Sequence, residues 1–269
     1  MAVVSDGAAA DRQRAAQRGI TRLLVRDMRR VRRIIVPSRL QPTVPAWIQA
    51  VRALVGQYSS ASASLAADYY DAERVAARAV GRFTVPLLDP PPDEQVEASL
   101  RWATQDVWPR DPEDPATTPA QALPIEQRLD AAQARAEAAA QKLVTDTGRG
   151  TVREAVRRDR LAVGYARAAA LGACAFCKLM ATRGMVYKSA EAAGTEANDR
   201  FAGDASVVKF HDNCHCAVLP VFRGQRFELS AHAQEWARLY EEQVAPQHSG
   251  QLLARFRAVL ADNGHLPAS

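Results

Sequence analysis

Apolar residues recur at helical spacing along most of the chain. From Asp11 to Val36, Ile20, Leu23, Leu24, Met28, Val31, Ile34 and Ile35 return every three or four residues, as on one face of a helix, and Pro37 ends the run. Pro45 suits the first residue of a second helix reaching about Arg82, with Trp47, Val51, Leu54, Val55, Tyr58, Leu65, Tyr69 and Val75 as its candidate core and a break around Ser59 to Ser64. Phe83 to Asp93, with Pro90-Pro91-Pro92, reads as a stiff connector. Glu94 to Trp108 is a short helix carrying Leu100 and Trp102, and Pro109 to Pro124 a second irregular crossing. A long helix of Ala, Gln, Arg and Glu follows from Ile125 to Asp146, its small side chains suited to close helix packing. Gly148 and Gly150 interrupt it, and Thr151 with Glu154 three residues on makes a capping box for a helix from Val152 to about Leu171.

Beyond Leu171 the periodicity shortens. Lys178 to Gly184 predicts a short helix stopped by glycine, Met185 to Tyr187 a strand, Ala190 to Asp204 a polar loop, and Val207 to Phe210 with Ala217 to Phe222 a pair of strands, Pro220 demanding an edge or strand-end place. Helices from Ser230 to Val244 and from about Gly250 to Ala261 close the chain, whereas Met1 to Ala10 predicts no ordered element. The expected fold is therefore mainly α, an elongated Ala-rich helical protein with a small α+β region towards the C-terminus. It divides into a basic N-terminal helix (1–40), a helical region with Pro-rich connectors at 83–93 and 109–124 (41–171), an α+β module (172–224) and C-terminal helices (225–269).

Composition agrees. Only 6% of the 269 residues are aromatic, which together with the abundance of Ala favours helix over sheet. No apolar run reaches the roughly 18 residues of a membrane span, so a soluble protein without a membrane partner is expected. The net charge of +5 is modest but unevenly placed. Arg12, Arg14, Arg18, Arg22, Arg26, Arg29, Arg30, Arg32 and Arg33 crowd the first helix against Asp11 and Asp27 alone, a basic arm suited to nucleic acid, an acidic protein surface or a membrane interface, with a solvated helix face as the alternative.

All four cysteines fall between Cys174 and Cys216, in two tight groups. The first is Cys174-Ala-Phe-Cys177 and the second His211-Asp-Asn-Cys214-His215-Cys216. A Cys-x-x-Cys turn brings two thiolates to one cation and a second pair closes a tetrahedron, which suits zinc. Cys174, Cys177, His211 and one of Cys214 or Cys216 are the expected ligands, while His215 in an extended segment points to the opposite face. Such a set leaves no open coordination position and so predicts a structural Zn2+, whose role is to fix the long segment between the two groups. Disulfides suit small secreted domains, and no signal peptide is read at the start of the chain. A thioredoxin-like redox pair requires a preceding strand, where a helix is expected.

No phosphate-binding Gly-x-x-x-x-Gly-Lys, no Gly-x-Gly-x-x-Gly, no Gly-x-Ser-x-Gly and no His-Glu-x-x-His is present. The cysteine region resembles the phage Mu F-like head-morphogenesis family, through Cys174 and Cys177, Gly184 to Tyr187, His211, Cys214, Cys216 and Pro220. The likeness to minor capsid proteins of tailed phages infecting actinobacteria extends through Leu65 to Tyr70, Gly148 to Val152 and Gly172 to Cys177. The resemblance implies a minor head protein acting with portal and major capsid or scaffolding proteins in procapsid assembly. It would be found in the virion, and in the host cytoplasm during assembly, with packaged DNA a possible partner of Arg12 to Arg33. Relatives of this type also carry the label of capsid maturation protease, the chief alternative. The sequence offers no nucleophile motif around Ser189, Ser206 or Ser230, so a non-enzymatic role is expected. A zinc-clasp DNA-binding or nuclease module is the second alternative.

Overall fold

Helix-forming residues run through most of the chain, and helices dominate the structure accordingly. The structure, a computed structural model, describes residues 2–4, 7–109, 116–187, 216–247 and 251–266. Its long helices are α1 (Ala8–Val31), α2 (Leu40–Ala76) and α4 (Ile125–Arg158), with α3 (Asp93–Ala103) between the last two. The short α5 (Ala175–Ala181) and the C-terminal α6 (Ala231–Gln243) and α7 (Leu252–Asp262) complete the set. The strands are β1 (Ala2–Val4), β2 (Ala162–Ala168), β3 (Met185–Tyr187), β4 (Ala217–Phe222) and β5 (Gln225–Phe227). Two compact units result, one of residues 1–16, 65–87 and 149–269, the other of residues 17–64 and 88–148.

The second unit is a helical core. Leu24 and Met28 of α1, Trp47, Val51 and Val55 of α2, Leu100 of α3 and Ala132, Ala136, Ala140 and Val144 of α4 are buried together. The alanines stand one helical turn apart and give α4 a flat face that its neighbours approach closely. The approach is tightest at Gly148, where a Cβ would lie 2.5 Å from Ser62 Oγ and 3.0 Å from the Ser62 carbonyl oxygen. Polar ties join the same helices: Arg29 donates two hydrogen bonds to Glu137 at 2.9 and 3.1 Å, and Tyr58 donates one to Asp27 at 2.6 Å. The Tyr58 hydroxyl, then Arg26, holds the Asp27 carboxyl below the usual carboxylate range.

Several boundaries differ from the sequence reading. Pro45 lies inside α2 rather than at its start, because a 3-10 turn (Pro37–Arg39) leads directly into the helix at Leu40. The hydrogen bond that Pro45 forfeits is offset by burial of Val44 and Trp47 beside it. Ser59 to Ser64 does not break α2: Ser60 and Ser64 turn their hydroxyls back onto Gly56 and Ser60 carbonyls, and Ser62 hydrogen-bonds Gln17 at 3.0 Å. The helix stops at Ala76, short of Arg82. Arg78 adopts φ 53°, and its N–H and that of Ala79 bond the Val75 and Arg74 carbonyls, a left-handed helix cap built without glycine. Val75, expected in the core, is 77% exposed.

In the first unit β2 is the centre of an antiparallel three-stranded sheet, ordered β3-β2-β4. Residues 162–168 are thus strand where helix was expected, and α4 runs unbroken through Gly148, Gly150 and a fully buried Thr151, which lies inside the helix rather than at a start. β4 pairs with β2, Ala168 opposite Ala217 and Tyr165 opposite Pro220, and among the described residues β4 is an edge strand, where a proline is tolerated. At Gly164 a Cβ would collide with the Val186 carbonyl of β3, so only glycine fits there. Ala2 to Val4, expected without structure, pair in parallel with Gln225 to Phe227. Tyr70, Val152, Val156, Leu219 and Phe222 form one apolar cluster of this unit, and Met180, Trp236, Leu239, Phe256 and Leu260 another. At the edge of the first, buried Asp159 accepts from Arg74 Nε at 2.8 Å, Tyr70 OH at 3.2 Å and the Leu161 N–H at 2.9 Å. The predicted strand at Val207 to Phe210 and the loop from Ala190 to Asp204 lie outside the described residues.

Candidate metal centre

The end of β2 delivers the chain to Cys174 after a turn in which the Ala173 N–H bonds the Ala170 carbonyl at 2.9 Å. Cys174 is the N-cap of α5, and its Sγ accepts the Cys177 N–H at 3.4 Å. The cap position turns the Cys-x-x-Cys into a single knuckle with one thiol at the helix start and the other in its first turn. Cys216 reaches the same neighbourhood by another route, through pairing of β4 with β2, and the Arg149 guanidinium Nε donates to its carbonyl at 3.0 Å. Cys177 and Cys216 are buried in one apolar cluster with Met180, Trp236 and Phe256, and Cys174 packs against that cluster. The three cysteines carry no disulfide.

Two cations are buried in this region, one over Phe176 between the first two cysteines and one directly after Cys177. Arg167, 2% exposed, places its guanidinium 5.6 Å from the centre of the Phe176 ring. Lys178 is fully buried, donates to the His265 carbonyl and lies 4.8 Å from the centre of the Trp236 ring. Burial pushes the Lys178 ammonium below its ordinary value, and attraction to Cys174 works in the other direction. Sequence reasoning singled out none of these cations. Lys178 had a signal, since it directly follows Cys177; Arg149 sits in an Arg-rich stretch where nothing distinguishes it.

Of the expected ligands, Cys174, Cys177 and Cys216 are thus brought to one cluster, while His211 and Cys214, with His215, lie outside the described residues. Among the described residues no group of three or more His, Cys, Asp or Glu is placed to hold a metal ion. The donor chemistry of Cys174 and Cys177 suits zinc, and the expected set of four would be completed by His211, outside the described residues, and by Cys214 or Cys216. The expected argument against a thioredoxin-like pair needs correction, because a strand does precede the Cys-x-x-Cys. What separates the two is topology: β2 has antiparallel neighbours on both sides, not the parallel βαβ setting of that motif.

Ser230 Oγ lies 3.0 Å from His232 Nε2, which raises the question of a nucleophile and base. The same nitrogen lies 3.2 Å from the Ala169 carbonyl oxygen, which only accepts. With the proton on Nε2 this nitrogen would donate to that carbonyl and could not take a proton from Ser230. The imidazole instead packs on Trp236, ring centres 4.7 Å apart.

The family model for the VG15 protein matches residues 5–243, nearly the whole chain and every candidate ligand. The chain belongs to the VG15 protein family. This is a family of viral proteins, and membership makes the chain one of them. No curated protein and no solved structure matches it. No helix among the described residues is long and apolar enough to cross a membrane.

Proposed function

We propose that this VG15 family member is a minor head protein of a tailed phage, of the Mu F-like type. In this reading it acts with portal and capsid subunits during procapsid assembly and carries one structural zinc on Cys174, Cys177, His211 and Cys214 or Cys216. The observation that supports it most is the reach of the viral family match, which encloses the whole Cys174 to Cys216 region on which the Mu F-like resemblance rests. The role is structural rather than chemical. The ligand set leaves no coordination position open, and among the described residues the Ser230 and His232 contact shares its ring nitrogen with the Ala169 carbonyl rather than standing as a dedicated nucleophile and base pair. Removing a ligand should therefore damage folding and incorporation, not a chemical step.

The test is co-expression with the portal, major capsid and scaffolding proteins of the same phage, followed by mass spectrometry of purified heads. The expected result is the chain present in heads in a few copies, with portal and capsid proteins uncleaved by it. Its absence from heads, or specific processing of the capsid protein lost on His232→Ala or Ser230→Ala, would overturn the proposal.

A further inference from the structure

The outer face of α1 carries a row of cations with few counter-ions. Arg18, Arg22, Arg26, Arg29, Arg30 and Arg33 are all exposed. At 100° per residue the five on α1 fall within an arc of roughly 120°, opposite buried Leu24 and Met28, over about 18 Å at 1.5 Å per residue, and Arg33 follows in the 3-10 turn Arg32–Ile34. Asp27 serves Arg26 and Arg30, and Glu137 serves Arg29. Arg18, Arg22 and Arg33 have no acidic partner among the described residues.

We infer that this face binds the phosphate backbone of double-stranded DNA. A protein partner would want an apolar centre, since interface cores are depleted in charge. Here Leu23 is the one large apolar side chain of α1 left exposed, at the margin of the arc. Protein–DNA surfaces are polar and strongly positive, as this one is. Single strands are held by stacking bases on aromatic rings, and α1 contains none. A stiff duplex offers a regular charged edge to a straight row of guanidinium groups, which bind phosphate as a planar fork. The choice of DNA over an RNA duplex rests on the proposed head role; the row itself does not depend on the metal centre.

The test uses the full chain and a fluorescent 30-base-pair DNA of arbitrary sequence, read by anisotropy. Three phosphates neutralised by Arg18, Arg22 and Arg33 give a slope of about −2.7 in log affinity against log salt, a loss of about 40-fold between 50 and 200 mM. The variant Arg18→Gln/Arg22→Gln/Arg33→Gln should lose that slope and bind at least tenfold more weakly at 50 mM. Arg82→Gln/Arg160→Gln/Arg223→Gln, equal in charge and exposed elsewhere, should bind like the parent. Failure to bind DNA, equal losses in both variants, preference for an RNA duplex, or displacement by polyglutamate at matched charge would each overturn the inference. None of these results bears on whether the chain enters heads.

Discussion

Replacing Gly148 by Ala tests a close contact between α4 and α2. Two opposed effects act. Alanine in a helix interior is favoured over glycine by about 1 kcal/mol. Against this, the new Cβ would sit 2.5 Å from Ser62 Oγ and 3.0 Å from the Ser62 carbonyl, with Gln17 Oε1 at 3.3 Å. The hydroxyl can rotate away, but the carbonyl belongs to the backbone of α2 and moves only with the helix, so overpacking costs about 1 to 3 kcal/mol. Gly56 supplies the internal reference, because it lies in α2 and a Cβ there would meet nothing within 4 Å. Gly56→Ala should stabilise by about 1 kcal/mol, and Gly148→Ala should fall below it by about 1 to 3 kcal/mol, the overpacking term alone. Tryptophan fluorescence during urea unfolding is the assay, since Trp47, Trp102 and Trp108, three of the four tryptophans, belong to the same unit as both glycines. If Gly148→Ala stabilises as much as Gly56→Ala, the two helices do not meet at Ser62 and the packing described for that unit is wrong.

Asp159→Ala should destabilise the other unit by about 3 to 5 kcal/mol in denaturant unfolding, because Arg74, its side chain 11% exposed, would keep its charge with no carboxylate beside it. Tyr70 makes stability depend on alkaline pH. Burial, then the Asp159 carboxylate, raises its phenol above the unfolded value of about 10. The contribution is therefore complete below about pH 10 and is lost as pH rises towards the folded value. The urea midpoint should fall more steeply above pH 10 in the parent than in Tyr70→Phe; equal slopes would assign the loss to other groups.

The sequence made the periodic helices legible, because α1, α2, α3, α6 and α7 each carry apolar residues at helical spacing with polar residues between them. It failed where tertiary contacts overrode local preference. Ala162 to Ala168 is rich in Ala and Arg and reads as helix, yet it is strand because β3 and β4 pair along both its edges. Gly148 reads as a helix breaker and is instead the residue that lets α4 approach Ser62. The cap at Arg78 was invisible because a left-handed position is expected at Gly or Asn. In the candidate metal centre the cysteines were legible from spacing, since ligand spacing is a local property. Arg149 was not, because its place beside Cys216 arises from strand pairing, whereas Lys178, next to Cys177 on the same helix, was legible but passed over.

The metal content of the native protein tests the account most directly. Intact mass under native and denaturing conditions, with elemental analysis, should give one zinc per chain, held by cysteines that resist alkylation until a chelator or denaturant is added. A native chain without metal, all four of whose cysteines alkylate as fast as those of Cys177→Ala and the other single variants, would contradict it.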